Sequence, residues 1–310
     1  MYGLLAAFVG ALTAIQSRLN GQLSKDIHNG IAAALVSFGT GYIVLIIITL
    51  VSLKDRQALV AMWSAIKHKR LKPWEVIGGM GGGFFVAVQA TTVPIIGVAV
   101  FSICTIGGQT AASLLVDKWG ISPRGKQHVT APRIFAAVMT LTAVTIAVYP
   151  DLGKASFKVA PVLFGVLVGA IVAFQQAVNG RVNEHTKRPL ATAWLNFLMG
   201  SFVLVIALTL DLLRGASIGA FPTNPWIYMG GPIGLIFISV SAFTIKHMGV
   251  LNFIMFSVSG QLIGAILLDW LAPTSGRTLT SFLIYGTLMT LLSITASQAL
   301  TRRALSRKKS

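Results

Sequence analysis

Ten runs of roughly 20 mostly apolar residues follow one another along the chain, near 3–23, 31–53, 75–93, 95–117, 133–150, 160–181, 190–212, 226–245, 250–270 and 281–300. Coiled as helix, a run of that length matches a bilayer core of about 30 Å. Pro, Gly or charge clusters separate most of the runs, as loops require. The runs are continuous rather than alternating, which excludes a closed β-barrel. The expected fold is therefore all-α, a polytopic membrane protein with ten transmembrane helices. Composition agrees: 11% of residues are charged, against about 25% in soluble domains. No Lys or Arg precedes the first run, so it lacks the basic start of a signal peptide and reads as a retained span.

The runs carry an internal repeat. Gly10 through Gly21, with Gln16 and Asn20, aligns with Gly169 through Gly180, with Gln175 and Asn179, at an offset of 159 residues. The same offset carries Ala32, Ala34, Phe38 and Gly41 onto Ala191, Ala193, Phe197 and Gly200. A shorter loop then moves the offset to 152. There Pro73-Trp74, Gly78-Gly79 and Gly82 match Pro225-Trp226, Gly230-Gly231 and Gly234. Gly97-Val98 and Phe101 match Gly249-Val250 and Phe253, and Gly108-Gln109, Leu115 and Asp117 match Gly260-Gln261, Leu267 and Asp269. Four blocks in one order are a poor product of chance. Each half, 1–153 and 154–310, then holds five spans. An odd number makes the second half enter from the opposite side, an inverted repeat common in secondary transporters.

The net charge of +17, from 25 basic and 8 acidic residues, suggests nucleic acid until positions are counted. With the N-terminus in the cytoplasm, 19 of the 25 basic residues fall on the inner side and 6 on the outer. Such a bias orients a polytopic chain with both termini inside, and it makes the lipid bilayer, not nucleic acid, the partner. Trp74, Trp119, Trp226 and Trp270 fall at span ends, where indole rings prefer the headgroups. Between the second and third spans, Leu59, Met62, Trp63 and Ile66 share a helical face followed by Lys67, Lys69 and Arg70. That pattern suits a short helix on the inner membrane surface or an ordinary loop helix.

The chain lacks an enzyme's equipment. All five histidines lie in or beside loops, there is no paired-histidine metal motif, and the eight acids lie at span ends or in loops. No catalytic residue, metal or cofactor is expected. The single Cys104 reads as a small packed hydrophobe, and Arg18, in the outer turn of span one, snorkels. What the spans do hold is neutral polar groups: Gln16 and Asn20, four apart on one face, repeated as Gln175 and Asn179; Gln109 and Gln261 near midspan; Ser37 and its counterpart Asn196. A primary amide in hydrocarbon costs several kcal/mol unpaired. These groups must either bridge helices or line a polar cavity; Thr13, Thr40 and Thr105 could add hydroxyls. Ala6, Gly10 and Ala14, repeated as Gly165, Gly169 and Ala173, form small-residue stripes for close helix packing. Glycines at 78, 79, 81, 82 and 83, and Gly230, Gly231, Pro232 and Gly234, thin spans three and eight. Such spans serve either as packing elements or as a moving gate.

Five plus five short spans of about 150 residues per repeat, with Gln-x-x-x-Asn-Gly in the first span of each half (Gln16, Asn20, Gly21; Gln175, Asn179, Gly180), resemble the YdcZ-like branch of the drug/metabolite transporter superfamily, in its fused ten-span form with an EamA-like fold. The resemblance covers about residues 3–301. It implies a substrate cavity between inverted halves and an inner-membrane location, and it supplies neither a substrate nor a proven binding residue. The function expected is a secondary carrier moving a small metabolite or drug-like solute by alternating access. The lack of a central carboxylate favours an uncharged, zwitterionic or weakly charged solute. Gln16, Asn20, Gln175 and Asn179 should then matter for flux and little for folding. A membrane scaffold or regulator without flux, and an intramembrane lipid-handling enzyme, are the alternatives; a homodimer is left open.

Overall fold

The computed structural model describes residues 1–121, 125–152, 158–248, 250–273 and 280–307. Among these residues all regular structure is helical. The first half contains α1 (Tyr2–Asp26), α2 (Gly30–Val51), α3 (Leu53–Lys67), α4 (Pro73–Ile77), α5 (Met80–Ile96), α6 (Val98–Trp119) and α7 (Ala131–Val148). The second contains α8 (Val159–Thr186), α9 (Pro189–Leu213), α10 (Gly230–Met248), α11 (Val250–Leu271) and α12 (Ser281–Arg307). Eight of the ten apolar runs fall almost wholly on a single one of these helices, whereas 75–93 is divided between α4 and α5 and 226–245 begins in a 3-10 turn ahead of α10. Seven helical segments among the described residues are long and apolar enough to cross a membrane, and three apolar stretches, Pro225–Val240, Phe256–Leu271 and Ser281–Ala296, are shorter. By length and composition these helices are those of a polytopic membrane protein.

Local signals set the boundaries. The Asn29 side chain caps α2 by accepting from the Ala32 N–H at 2.8 Å, satisfying one of the free donors of a helix start. Span three does not begin as one helix. A five-residue piece, α4, starts on Pro73 and gives way at Gly78–Gly79 to α5. The counterpart is a 3-10 turn, Pro225–Met229, that runs into α10 at Gly230. Both junctions are glycine because neighbouring backbone fills the place of a side chain. A Cβ on Gly79 would lie 2.8 Å from the Leu195 carbonyl oxygen, and one on Gly231 would lie 1.8 Å from that of Ser37.

Each half packs mainly on the other. α1 lies along α11 and α10, while α8 lies along α6 and α5; α2 meets α9, and α7 meets α12. The small-residue stripes make two of the close crossings. A Cβ on Gly10 would sit 1.9 Å from the Ser257 carbonyl oxygen, and one on Gly260 equally close to that of Ala7. On the other side, Gly169 faces the Thr105 carbonyl at 2.1 Å and Gly108 the Val166 carbonyl at 1.9 Å by the same measure. The stripes are thus helix-crossing surfaces, with backbones at van der Waals contact. The largest apolar core joins Phe101, Ile103, Cys104 and Ile106 of α6 to Ala14, Val144, Val168 and Leu262.

The amphipathic α3 is present, but its packing differs from the surface-helix expectation. Ala58, Met62 and Ala65 are buried on Val178, Val182, Ala191 and Leu195 of α8 and α9. Trp63 faces outward, 49% exposed. The helix spends its narrow apolar stripe on protein, and only the Trp63 side is left for headgroups. Trp74, Trp119, Trp226 and Trp270 are all exposed at helix ends, as interfacial indoles should be.

Candidate functional site

Two amide clusters form, one on each half. In the first, Gln89 of α5 is fully buried. Its Oε1 accepts from Asn20 Nδ2 at 2.6 Å, and its Nε2 donates to Ser17 Oγ at 2.7 Å. Ser17 in turn donates to the Thr13 carbonyl. This ties α1 to α5. Asn20 Oδ1 and Ser37 Oγ are both buried without a partner. They converge on Gly230, 2.2 and 2.9 Å from where its Cβ would be. Only glycine leaves those two oxygens room.

In the second cluster Asn196 of α9 is the hub. Its Oδ1 accepts from Gln175 Nε2 at 2.8 Å. Its Nδ2 donates to Asn179 Oδ1 and to the Thr192 carbonyl, each at 2.9 Å. Here the bridging amide belongs to the adjacent helix of the same half. In the first half that position is Ser37, which is too short to reach, and Gln89 makes the bridge from α5. Both clusters press on thinned spans in the same way. Gln16 Nε2 lies 3.1 Å from the Cβ position of Gly234, and Gln175 Nε2 lies 2.8 Å from that of Gly82.

Asn20 and Ser37 therefore come together at Gly230, with Gln16 against Gly234 one turn along α10, while Gln175, Asn179 and Asn196 are joined directly by hydrogen bonds. Gln109 and Gln261 are half-buried on α6 and α11 and join neither hydrogen-bonded cluster among the described residues. The candidate hydroxyls are largely spent locally: Thr13 donates to the Gly10 carbonyl, Thr105 to that of Ser102, and Thr40 to those of Ser37 and Tyr228. The residue that sequence reasoning missed is Gln89. Its signal was available, an amide inside a nearly charge-free run, but its repeat counterpart is Ser241, so symmetry did not select it.

Three ion pairs gather at one end of the molecule. Arg181 of α8 donates to the Gly120 carbonyl at 2.9 Å and to the Ile121 carbonyl, and it lies 3.5 Å from Glu75. It also sits over the Trp74 ring, 5.2 Å from the centroid, where the ring quadrupole favours a cation. Glu75, buried, caps α4 through the Lys72 N–H. Arg188 approaches Asp55, and Arg133 donates to Asp117. At the opposite end Asp269 accepts from the Val98 and Ala99 N–H groups. Among the described residues no three His, Cys, Asp or Glu side chains are grouped to hold a metal. The two amide clusters offer neutral hydrogen-bonding groups in apolar walls, and among the described residues neither contains an acid–base pair. That suits holding or passing a solute.

Comparison with known proteins agrees. One solved crystal structure is 14% identical over 98% of this chain and 97% of that one, with a TM-score of 0.61, which shows a shared fold. No curated protein matches the chain significantly. A family model described as "Putative inner membrane exporter, YdcZ" matches residues 1–146 and again 160–296. That is a membrane exporter family rather than an enzyme family. The chain belongs to the YdcZ family of the drug/metabolite transporter superfamily.

Proposed function

We propose that the protein is a secondary carrier of the inner membrane that moves a small uncharged, zwitterionic or weakly charged solute by alternating access between two inverted five-span halves, 1–153 and 154–310. The observation that carries this reading is the double match of one exporter family to 1–146 and 160–296. The reciprocal packing supports it: α1 lies on α11 as α8 lies on α6. Ten spans and cytoplasmic termini follow from the ten apolar runs and the 19 to 6 division of basic residues. The solute path runs between the halves, past Gln16, Asn20, Ser37 and Gln89 toward one face, past Gln175, Asn179 and Asn196 toward the other, with Gln109 and Gln261 between them. Those amides bind by hydrogen bonds and change partners as the halves rock.

The test is a screen of small metabolites and drug-like compounds for thermal stabilisation of the detergent-purified protein. A compound that binds the folded carrier and not the unfolded chain raises the unfolding temperature, by a stabilisation that grows logarithmically with its concentration above Kd. It should then cross proteoliposome membranes containing the protein. Stabilising compounds that never cross would favour a sensor or scaffold instead.

A further inference from the structure

Asp269 closes α11 and caps α6 of the other half. Its Oδ2 accepts from the Ala99 N–H at 2.8 Å and its Oδ1 from the Val98 N–H at 3.2 Å. Gly97, with φ of +80°, makes the turn that exposes those amides, and Asp269 Oδ2 lies 3.0 Å from where a Gly97 Cβ would be. A carboxylate on the first N–H groups of a helix is favourable in both hydrogen bonding and dipole terms. The cap thus ties the two halves at one end of the α6–α11 pair.

Every part of this device is duplicated in the sequence. Asp117 is the repeat counterpart of Asp269, and Gly249-Val250 is the counterpart of Gly97-Val98. Asp117 ends α6 at the opposite end of the pair, and Val250 begins α11. In this structure Asp117 is held by Arg133 in the first turn of α7, at 2.5 Å. Both carboxylates capping at once would fasten the pair at both ends and leave neither side open.

We propose that Asp269 and Asp117 are alternate closing caps. Asp269 on the N-terminus of α6 closes the outer face. In the opposite state Asp269 lets go, and Asp117 exchanges Arg133 for the first N–H groups of α11 to close the inner face. Arg133 is the competitor that keeps the inner cap undone. This rests on the carrier reading and adds the residues that hold each end state. They are positioning residues and touch no solute.

The experiment places spin labels at Ile95→Cys and Leu271→Cys, both exposed at the outer end (43% and 72%), in a Cys104→Ala background in lipid nanodiscs. Pulsed dipolar spectroscopy then reads the ratio of short (closed) to long (open) outer distances. Asp117→Ala removes the inner cap and should raise that ratio, whereas Arg133→Gln frees Asp117 and should lower it, each by about threefold or more. The two variants break the same ion pair, so a merely structural pair would move the ratio alike in both. Asp269→Ala should lower the ratio; should it fail to fold, the first two variants decide alone. Shifts of the same sign, or two wild-type distances that neither variant redistributes, overturn the caps and leave the carrier reading standing. A single unchanging distance in the wild type and every folded variant overturns both.

Discussion

Replacing Gln89 with leucine tests whether the α1–α5 tie is an energetic contact or a coincidence of packing. The side chain is fully buried and makes two hydrogen bonds, at 2.6 and 2.7 Å. Side-chain hydrogen bonds inside membrane proteins contribute about 0.6–2 kcal/mol each, so Gln89→Leu should cost about 1–4 kcal/mol. The upper part of that range is expected. Asn20 already has an unpartnered oxygen and would lose its donor contact too, and a stranded buried amide is more costly than the bond it lost. The double variant Asn20→Leu/Gln89→Leu removes both polar groups and should be no less stable than Gln89→Leu alone, a coupling of about 1–2 kcal/mol. Cys104, the one cysteine, is fully buried. A fluorogenic maleimide therefore reports unfolding during a thermal ramp in detergent. Additive losses in the double variant would refute the reasoning.

The helix crossings make a second prediction: Gly10→Ala and Gly169→Ala, whose new methyls would meet carbonyl oxygens at 1.9 and 2.1 Å, should each cost about 1–3 kcal/mol or more. Gly39→Ala, with nothing within 4 Å, should leave the same thermal ramp unchanged or raise it by about 0.5–1 kcal/mol. Arg181→Ala should loosen the 120–121 turn, read as faster hydrogen exchange there, while Arg181→Lys restores little because an ammonium is not a planar fork. Topology is read with an impermeant thiol reagent on intact cells: in a Cys104→Ala background, Ala220→Cys should label at once and His128→Cys only after permeabilisation, and the reverse order would invert the orientation.

Much of the fold was legible because hydrocarbon imposes two simple rules, a length of about 20 residues and satisfaction of every backbone group within the helix. Repeat alignment then singled out the glycines whose close approaches form the crossings. It worked less well where the halves have diverged. Gln89 escaped because Ser241 stands in its repeat position, and Ser37 was paired with Asn196 although only the asparagine reaches its partner. The face of α3 was read by hydropathy, which cannot tell lipid from α8 as the apolar neighbour; Met62 went to protein and Trp63 outward. The amides were expected to matter for flux and little for folding. Asn20 is fully buried and bonded to Gln89, so its removal should weaken the fold as well.

Alternating exposure of one midmembrane position is the most direct test of the carrier. In a Cys104→Ala background, Gln109→Cys should react with a small impermeant thiol reagent added outside right-side-out vesicles and also with the same reagent added to inside-out vesicles. Conditions that speed one reaction should slow the other. Reaction from a single side under all conditions, or simultaneous rises from both, would contradict a carrier that opens its two faces in turn.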